Sequence, residues 1–317
     1  MESERGLKPG LSSHELLDAM RLVAGGIELE MEDLLLVDSA NIFPDDWSRL
    51  AVRICEAAKG YQGVVVIHGT DTMAYTASML SFMLQNVPIP VVLTGSQLSI
   101  SHPVADAMEN CRCAVHMAAS GRAGVFLAFN RKVMLGVRAS KVRTMSFDAF
   151  ESINYPDVAQ ISSLGLNIRS EYLPKAKGDL KLCTSYSDRV FLLKMYPGIR
   201  PELLRVLEAQ GYQGVYIEAF GLGGLPFLKN DFLLAVQESV DHGMTIVVGS
   251  QCRYEGSSLS VYETGLKALN SGVLQAYDMT AEAAVTKLMW VLGQTEDRQK
   301  IRWFFSRNLV QEVQIPV

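Results

Sequence analysis

The sequence predicts an α/β fold in two domains: a larger N-terminal domain built on a doubly wound, mostly parallel sheet, and a smaller C-terminal α/β domain. A length of 317 residues suits two domains better than one. Short continuous apolar runs such as Val64–Ile67 alternate with segments of helical periodicity such as residues 46–59. Runs of this kind are typical of parallel strands that helices cover on both faces.

The N-terminal half alternates regularly between the two patterns. A capped amphipathic helix begins at Ser13, and further helices are predicted over residues 46–59, 73–85 and 106–120. The strands between them are predicted at residues 64–67, 91–95 and 124–130, and we expect Val64–Ile67 to be buried on both faces. The N-terminal domain is therefore predicted over residues 1–170.

Turn-forming and charged residues predominate after that point, and they predict a linker over residues 171–188. The alternation then resumes in a C-terminal domain over residues 189–317. Its strands are predicted at residues 189–195, 214–220 and 245–249, and its helices over residues 201–210, 230–242, 280–292 and 297–308.

Composition and charge exclude several classes of function. No apolar run approaches the roughly 20 residues that a membrane-spanning helix needs. The formal net charge is −5 and no basic block is present, so nucleic-acid binding is not expected as the main function. The five cysteines are odd in number and lack paired ligand spacing, and the first residues lack an apolar signal core. We expect reduced thiols in a cytoplasmic protein, with no metal and no cofactor.

The first candidate site is the segment His68-Gly69-Thr70-Asp71-Thr72, which directly follows the strand Val64–Ile67. Open α/β sheets bind ligands at the carboxyl ends of their strands. Gly69 lets the backbone approach a ligand, while hydroxyl and carboxylate groups and a helix N-terminus face it. The alternative is that Thr70 or Asp71 only caps the following helix, and capping statistics alone favour that alternative.

Two further segments carry weaker signals. Thr94-Gly95-Ser96-Gln97 follows another predicted strand, and a plain strand-to-helix loop is the favoured interpretation of it. Lys141 lies in the basic segment 136–144, where a lysine beside a threonine would be able to accept a proton from a hydroxyl nucleophile. A solvated basic loop has the same appearance in sequence.

Several motifs in collinear order resemble the bacterial-type L-asparaginases, and most closely the cytoplasmic type I group. They are Asp38-Ser39, His68-Gly-Thr-Asp-Thr-Met-Ala-Tyr-Thr, Thr94-Gly-Ser-Gln97, Arg138-Ala-Ser-Lys141 and Asp278-Met-Thr-x-Glu282-Ala. The resemblance implies the two-domain fold of that family, usually assembled as a homodimer or a dimer-of-dimers homotetramer. It also implies a small-molecule substrate, L-asparagine, and no metal or organic cofactor.

The resemblance further implies an amidohydrolase that forms an acyl-enzyme on a threonine. Thr70, Asp71 and Lys141 correspond to catalytic residues: Thr70 activates or positions the water or nucleophile, Lys141 polarises Thr70, and Asp71 pairs with the α-ammonium of the substrate. The resemblance also implies further substrate-binding residues. Asp38, Ser39 and Ala40 form the loop that holds the α-carboxylate, with Ser39 as its side-chain donor. Gly95 and Ser96 line the amide end, and Gly69 also contacts the substrate.

One signature of that family, a strand running into Gly-Gly-Thr-Ile whose threonine is the first nucleophile, is absent from the sequence. We expect the sequence to begin in the loop after it. Either the sequence starts too late and the natural protein is an ordinary asparaginase, or the chain is a non-catalytic relative. Loss of a buried strand would leave backbone groups unpaired, which favours the first explanation.

Two other functions stay open beside asparagine hydrolysis. One is a catalytically inactive protein that binds aspartate or asparagine. The other is the amidase subunit of a tRNA-dependent amidotransferase, which the resemblance implies would share the asparaginase core.

Overall fold

The computed structural model describes residues 2–3, 6–7, 13–175 and 177–315, with side chains from residue 17 onward. The chain divides into two compact units, Met1–Thr184 and Ser185–Val317. The division falls inside the segment 171–188, in which Lys181–Leu182 forms a short strand that pairs with Leu84–Gln85 of the first unit. No helix of the described residues is long and apolar enough to cross a membrane.

The first unit contains sixteen helices and strands of regular structure within the described residues. In chain order they are β1 (Glu2–Ser3), β2 (Gly6–Leu7), α1 (Ser13–Val23), α2 (Pro44–Ala57), β3 (Val64–Ile67), α3 (Met73–Met83), β4 (Leu84–Gln85), β5 (Pro90–Thr94), α4 (Ala107–Ala118), β6 (Gly124–Phe129), β7 (Lys132–Leu135), β8 (Ala139–Lys141), β9 (Phe150–Ser152), β10 (Ala159–Ser162), β11 (Gly165–Ile168) and β12 (Lys181–Leu182). Short 3-10 turns lie at Ser39–Asn41 and Ser170–Tyr172.

The main sheet of this unit has the strand order β11-β10-β7-β6-β5-β3 and is mixed. The pairs β3–β5 and β5–β6 are parallel, as the alternating pattern predicts. The pairs β6–β7, β7–β10 and β10–β11 are antiparallel. Asn130 and Arg131 form the two-residue turn between β6 and β7 with φ angles of 47° and 65°. Positive φ at both central residues is the geometry of a tight hairpin turn, so the chain reverses here instead of crossing over.

Strand β3 differs from the expectation of burial on both faces. Val64, Val65 and Val66 are only partly buried, and Ile67 is 42% exposed. The reason is its place in the sheet: among the described strands β3 stands at the edge, with β5 as its one neighbour.

Helix α3 is far more buried than strand β3. It is apolar on all sides, and ten of its eleven residues are buried.

The second unit is built on a fully parallel sheet with the order β13-β14-β15-β16. Its elements in chain order are β13 (Val190–Lys194), α5 (Glu202–Ala209), β14 (Gly214–Ala219), α6 (Phe232–Asp241), β15 (Thr245–Ser250), α7 (Glu263–Asn270), β16 (Leu274–Gln275), α8 (Ala281–Gln294) and α9 (Arg298–Phe305). Apolar side chains of β13–β15 pack against α5 and α6 in one core. The α/β class predicted for both domains is confirmed.

A buried ion pair fastens the end of the second unit to its helices. Lys287 Nζ on α8 lies 2.5 Å from Glu312 Oε1, and both side chains are fully buried. Burial lowers the pKa of Lys287, while the Glu312 carboxylate opposes that shift. Glu312 also accepts hydrogen bonds from the backbone N–H groups of Leu309 and Val310. Removing either partner would leave the other as an unpaired buried charge, which strongly destabilises a protein.

Candidate active site

Thr70, Asp71 and Lys141 meet at the carboxyl end of strand β3. Residues 68–72 connect β3 to α3, and Lys141 is the last residue of β8. Lys141 Nζ lies 2.8 Å from Thr70 Oγ1 and 2.6 Å from Asp71 Oδ1. Lys141 is 71 positions from Thr70 in sequence, so this cluster is produced by the fold and not by local geometry.

Neither Thr70 nor Asp71 is the N-cap of helix α3, so the capping alternative is wrong. Thr72 is the N-cap residue, and its side chain makes no capping hydrogen bond. Its hydroxyl donates instead to the backbone carbonyl of Ser39 at 2.8 Å. The Thr70 hydroxyl and the Asp71 carboxylate are thereby left to interact with Lys141.

Asp71 has capacity for a second cation. Its side chain is 65% exposed, whereas the Lys141 side chain is 17% exposed. Only Oδ1 of Asp71 is hydrogen-bonded among the described residues, and the other carboxylate oxygen is open to a ligand. A carboxylate of this kind is suited to a primary ammonium group, which donates up to three hydrogen bonds.

Gln97 is a site residue to which the sequence assigns no role, although it belongs to the candidate segment 94–97. Thr70 Oγ1 donates a hydrogen bond to Gln97 Oε1 at 3.2 Å. Gln97 Nε2 donates to the carbonyl oxygens of Thr144 and Ser146 at 3.0 and 3.1 Å. The interpretation of segment 94–97 as a plain loop therefore misses this contact. The parallel pairing of β3 with β5 would have indicated Gln97. Ile67 lies beside Thr94 in this pair, so the segments that follow the two strands leave the sheet at the same edge.

The loop that carries Gln97 is held by two residues at the start of α4. The backbone N–H groups of Gln97 and Leu98 donate to the Asp106 carboxylate at 3.0 to 3.2 Å. Asn110 Nδ2 donates to the Gly95 carbonyl and to Asp106, both at 2.9 Å. Because charge-assisted bonds to backbone donors are strong, this loop is fixed in one conformation next to Thr70.

A chain of hydrogen bonds that runs from the buried Trp47 and Thr76 to His68 supports the segment before Thr70. His68 Nδ1 lies 2.7 Å from the Gly69 carbonyl oxygen, so this nitrogen carries the proton. His68 Nε2 lies 2.9 Å from Thr76 Oγ1, which also accepts a bond from Trp47 Nε1 at 2.9 Å. Burial lowers the pKa of His68, and the Gly69 carbonyl partly opposes this shift. The neutral Nδ1–H tautomer satisfies every group of the chain.

Close backbone approaches explain the glycines of the site. A Cβ atom on Gly95 would lie 2.1 Å from the carbonyl oxygen of His68, and one on Gly69 would lie 2.6 Å from Ser39 Oγ. Ser39 is buried at 4% exposure. The structure therefore brings Ser39 against Gly69, and Gly95 against His68, in the segment that directly precedes Thr70.

The remaining predicted binding residues are less directly placed. Asp38 caps the short turn after it, since its Oδ1 accepts a bond from Ala40 N at 2.9 Å, and both residues are exposed. Ser96 Oγ donates within its own loop to the Leu98 carbonyl at 2.7 Å. Among the described residues no hydrogen bond joins Asp38, Ala40 or Ser96 to the Thr70 cluster, and their roles stay predictions.

The loop that follows Lys141, residues 142–149, is anchored by an ionic network. Asp148 Oδ1 accepts from Lys132 Nζ at 2.8 Å and from Asn130 Nδ2 at 3.0 Å. The Lys132 hydrogen bond in particular lowers the pKa of Asp148, and Arg143 adds to the effect. Arg143 also donates to the Asp148 carbonyl at 2.7 Å and pairs with Glu151 of β9. This network anchors the loop that carries the Thr144 and Ser146 carbonyls.

The described residues contain no group of three or more histidine, cysteine or acidic side chains placed to hold a metal ion. None of the five cysteines forms a disulfide. Cys111 and Cys113 lie on α4, where burial raises their pKa values to about 11 and about 12. Thiols with such pKa values are poor nucleophiles and poor metal ligands at neutral pH.

Fold and site together define a two-domain α/β enzyme with a threonine–lysine–aspartate cluster, and comparison with known proteins agrees. Residues 1–173 match the family described as "Asparaginase, N-terminal", and residues 189–305 match "Glutaminase/Asparaginase C-terminal domain". The two matches together span most of the chain. The protein belongs to the asparaginase family of amidohydrolases.

Individual relatives support the same assignment. The chain is 40% identical over 314 residues to an L-asparaginase of Thermococcus kodakarensis, covering 98% of this chain and 94% of the relative. The solved structure of the thermostable L-asparaginase from the same organism superposes with a TM-score of 0.92 at 40% identity, covering 100% of this chain and 96% of that chain. L-asparaginase I of Vibrio cholerae gives a TM-score of 0.86 at 29% identity, covering 99% and 95%.

A second group of relatives has a different name. One subunit of the glutamyl-tRNA(Gln) amidotransferase of T. kodakarensis is 38% identical to this chain over 290 residues. The match covers 88% of this chain and 65% of the relative, so this chain spans about two thirds of the length of that protein.

Proposed function

We propose that the protein hydrolyses the side-chain amide of L-asparagine to L-aspartate and ammonia through a threonine acyl-enzyme. The observation that carries this proposal is the position of Lys141 Nζ, within hydrogen-bonding distance of both Thr70 Oγ1 and Asp71 Oδ1. The 40% identity to a named L-asparaginase over nearly the whole chain supports the choice of substrate.

Recognition of the amino-acid end of the substrate is assigned to residues around Gly69. The open oxygen of Asp71 accepts the α-ammonium group, and the Asp38–Ala40 loop with Ser39 holds the α-carboxylate. Gly69 leaves room between these two groups because it has no side chain. Gly95 and Ser96 line the amide end. Ionic recognition at one end orients the amide toward Thr70.

The chemistry requires two displacements at the amide carbon. A threonine hydroxyl attacks it, the C–N bond breaks and ammonia leaves; water then cleaves the ester, releases aspartate and restores the hydroxyl. Thr70 activates or positions the nucleophile or water, and Lys141 polarises Thr70. The family's Gly-Gly-Thr-Ile segment is not in this sequence, so we assign none of these residues to the first nucleophile.

Location in the cytoplasm and assembly into homodimers or dimers of dimers are part of the proposal. The five cysteines, none of which is in a disulfide, support a reducing compartment. The assembly rests on the family alone, and light scattering on the purified protein tests it directly.

The amidotransferase relative favours a second candidate function, that of the amidase subunit of a tRNA-dependent amidotransferase. The two functions differ in what the reaction requires. An asparaginase releases ammonia from free L-asparagine by itself, whereas the second function predicts ammonia release that depends on a partner subunit and a charged tRNA.

The test is ammonia and aspartate release by the purified protein, with L-asparagine and L-glutamine compared at equal concentration. We expect stoichiometric ammonia and aspartate from asparagine, and loss of nearly all turnover in Thr70→Val. A folded protein that is stabilised by L-aspartate but releases no ammonia, even after an upstream Gly-Gly-Thr-Ile segment is restored, would instead identify a binding protein without hydrolase activity.

A further inference from the structure

The hydrogen bonds of Gln97 define its amide orientation. The Nε2 group lies between two carbonyl oxygens, those of Thr144 and Ser146, which only accept hydrogen bonds. The nitrogen must therefore occupy that side, and Oε1 must face Thr70. An amide oxygen has no proton to give, so the contact with Thr70 Oγ1 requires the threonine to donate.

This orientation in turn determines the proton of Thr70. The hydroxyl has one proton and two lone pairs. The proton is committed to Gln97, and one lone pair accepts from Lys141 Nζ at 2.8 Å. The second lone pair is then the only bonding capacity left on the oxygen. It is suited to accept a hydrogen bond from a hydroxyl or a water. Thr70 cannot donate to either of them while it donates to Gln97.

We propose that Gln97 is a positioning residue that makes Thr70 a hydrogen-bond acceptor toward the reacting group, and that ties this state to the loop of residues 142–149. The inference rests on the proposed function and deepens it. Gln97 acts through Thr70, because Gln97 determines the direction in which the Thr70 hydroxyl donates its hydrogen bond. The loop takes part because its carbonyls at Thr144 and Ser146 are what orient the Gln97 amide.

The surroundings are built to hold Gln97 in place. Its backbone N–H donates to Asp106, which also accepts from Asn110 on α4. On the other side the loop is anchored through Arg143 and Asp148. Main chain and side chain of Gln97 are thus held from two different elements. A side chain of purely structural importance would not need its acceptor directed at Thr70.

The test is the Gln97→Met variant, which keeps the length of the side chain and removes both the acceptor and the donors. We expect kcat for asparagine to fall about tenfold or more with KM changed by less than about twofold, because an interaction of the reacting state is lost. The matched control is Gln294→Met. Gln294 Nε2 also donates to two carbonyls, those of Ser185 and Trp290, in the second unit. The kcat of this control should stay within about twofold of the parent value.

A double-mutant cycle with Thr70→Val separates positioning from general structural damage. If Gln97 acts through Thr70, Gln97→Met lowers the residual rate of Thr70→Val by less than about twofold. An equal loss in both backgrounds, or an unchanged kcat in Gln97→Met alone, would overturn the proposal.

A crystal structure of Gln97→Met keeps the inference testable if asparagine is not the substrate. In the crystal we expect the Thr70 side chain to rotate or a water to replace the lost oxygen. In a separate hydrogen-exchange measurement we expect the backbone amides of residues 142–149 to exchange faster than in the parent protein. If Thr70 and Lys141 keep their positions and the amides of residues 142–149 keep their exchange rates, the inference is contradicted even in a protein without turnover. Absence of ammonia release from every variant would count against the proposed function alone.

Discussion

Lys141 Nζ and Thr70 Oγ1 lie 2.8 Å apart although the two residues are 71 positions apart in sequence. Replacing Lys141 by methionine keeps the alkyl chain and removes the donor. We expect kcat to fall by about 10²- to 10⁴-fold, the range typical for loss of a positioned acid or base. Ammonia release measured at saturating asparagine checks this.

Lys194→Met is the matched control for that change. Lys194 is 63% exposed and pairs with Glu218 at 3.3 Å in the second unit. Exposed pairs contribute little to stability, so activity and melting temperature should both stay close to the parent values. Equal losses in the two lysine variants would mean that the loss at Lys141 reflects general damage.

Asp71→Asn tests recognition of the α-ammonium group. The neutral amide removes the charge that the open oxygen of Asp71 offers to a ligand, while Lys141 retains Thr70 as a partner. We expect the dissociation constant for L-aspartate to rise roughly tenfold or more, as charged hydrogen bonds are worth about 1.5–3 kcal/mol. Titration calorimetry measures it.

An exposed aspartate without such a role provides the comparison. Asp18 pairs with Arg21 on α1, and its side chain is 75% exposed. The Asp18→Asn protein should bind L-aspartate as the parent does. Unchanged binding by Asp71→Asn would remove Asp71 from the substrate site.

Gly95→Ala tests the close approach of the two strand-end loops. The added Cβ would meet the His68 carbonyl at 2.1 Å, so backbone must move next to Thr70. We expect a loss of about 1–3 kcal/mol in the free energy of unfolding, together with reduced turnover. Gly60→Ala, where a Cβ meets nothing within 4 Å, should stay within about 0.5 kcal/mol. Urea denaturation of both variants decides; equal stabilities would refute the steric argument.

Thr76→Val tests the hydrogen-bond chain below His68. Valine leaves the Trp47 N–H and the His68 Nε2 lone pair without a partner in a fully buried place. An unpaired buried group costs about 1–3 kcal/mol, which urea denaturation detects. Thr76→Ser keeps the hydroxyl and should lose only about 1 kcal/mol for the missing methyl group. If serine is as damaging as valine, packing and not hydrogen bonding is what Thr76 supplies.

The fold class is predictable from sequence because apolar runs and helical periodicity report directly on burial. The antiparallel strands after β6 are not, because Asn130 and Arg131 are not the glycine-containing pair that most strongly indicates a tight hairpin turn. The composition of Val64–Ile67 predicts burial on both faces, but a run of valines does not reveal which strand stands at a sheet edge.

The site is predictable from sequence where one short segment both follows a predicted strand and carries reactive polar groups. His68–Thr72 follows a strand and combines a glycine with polar groups, so its place at the strand end is evident. Lys141 alone is indistinguishable from a solvated lysine, and the resemblance to a family is needed to select it. Gln97 escapes prediction because its partners, Thr144 and Ser146, contribute backbone carbonyls, which no side-chain pattern reports.

If Thr70, Asp71 and Lys141 surround the amide substrate, a crystal structure of the protein with L-aspartate will show the product among them. We predict the α-ammonium of aspartate at Asp71, its α-carboxylate at the Ser39 loop and its side-chain carboxylate next to Thr70 Oγ1. Aspartate bound elsewhere, with the space between Thr70 and Asp71 filled only by solvent, would show that these residues do not form the substrate site.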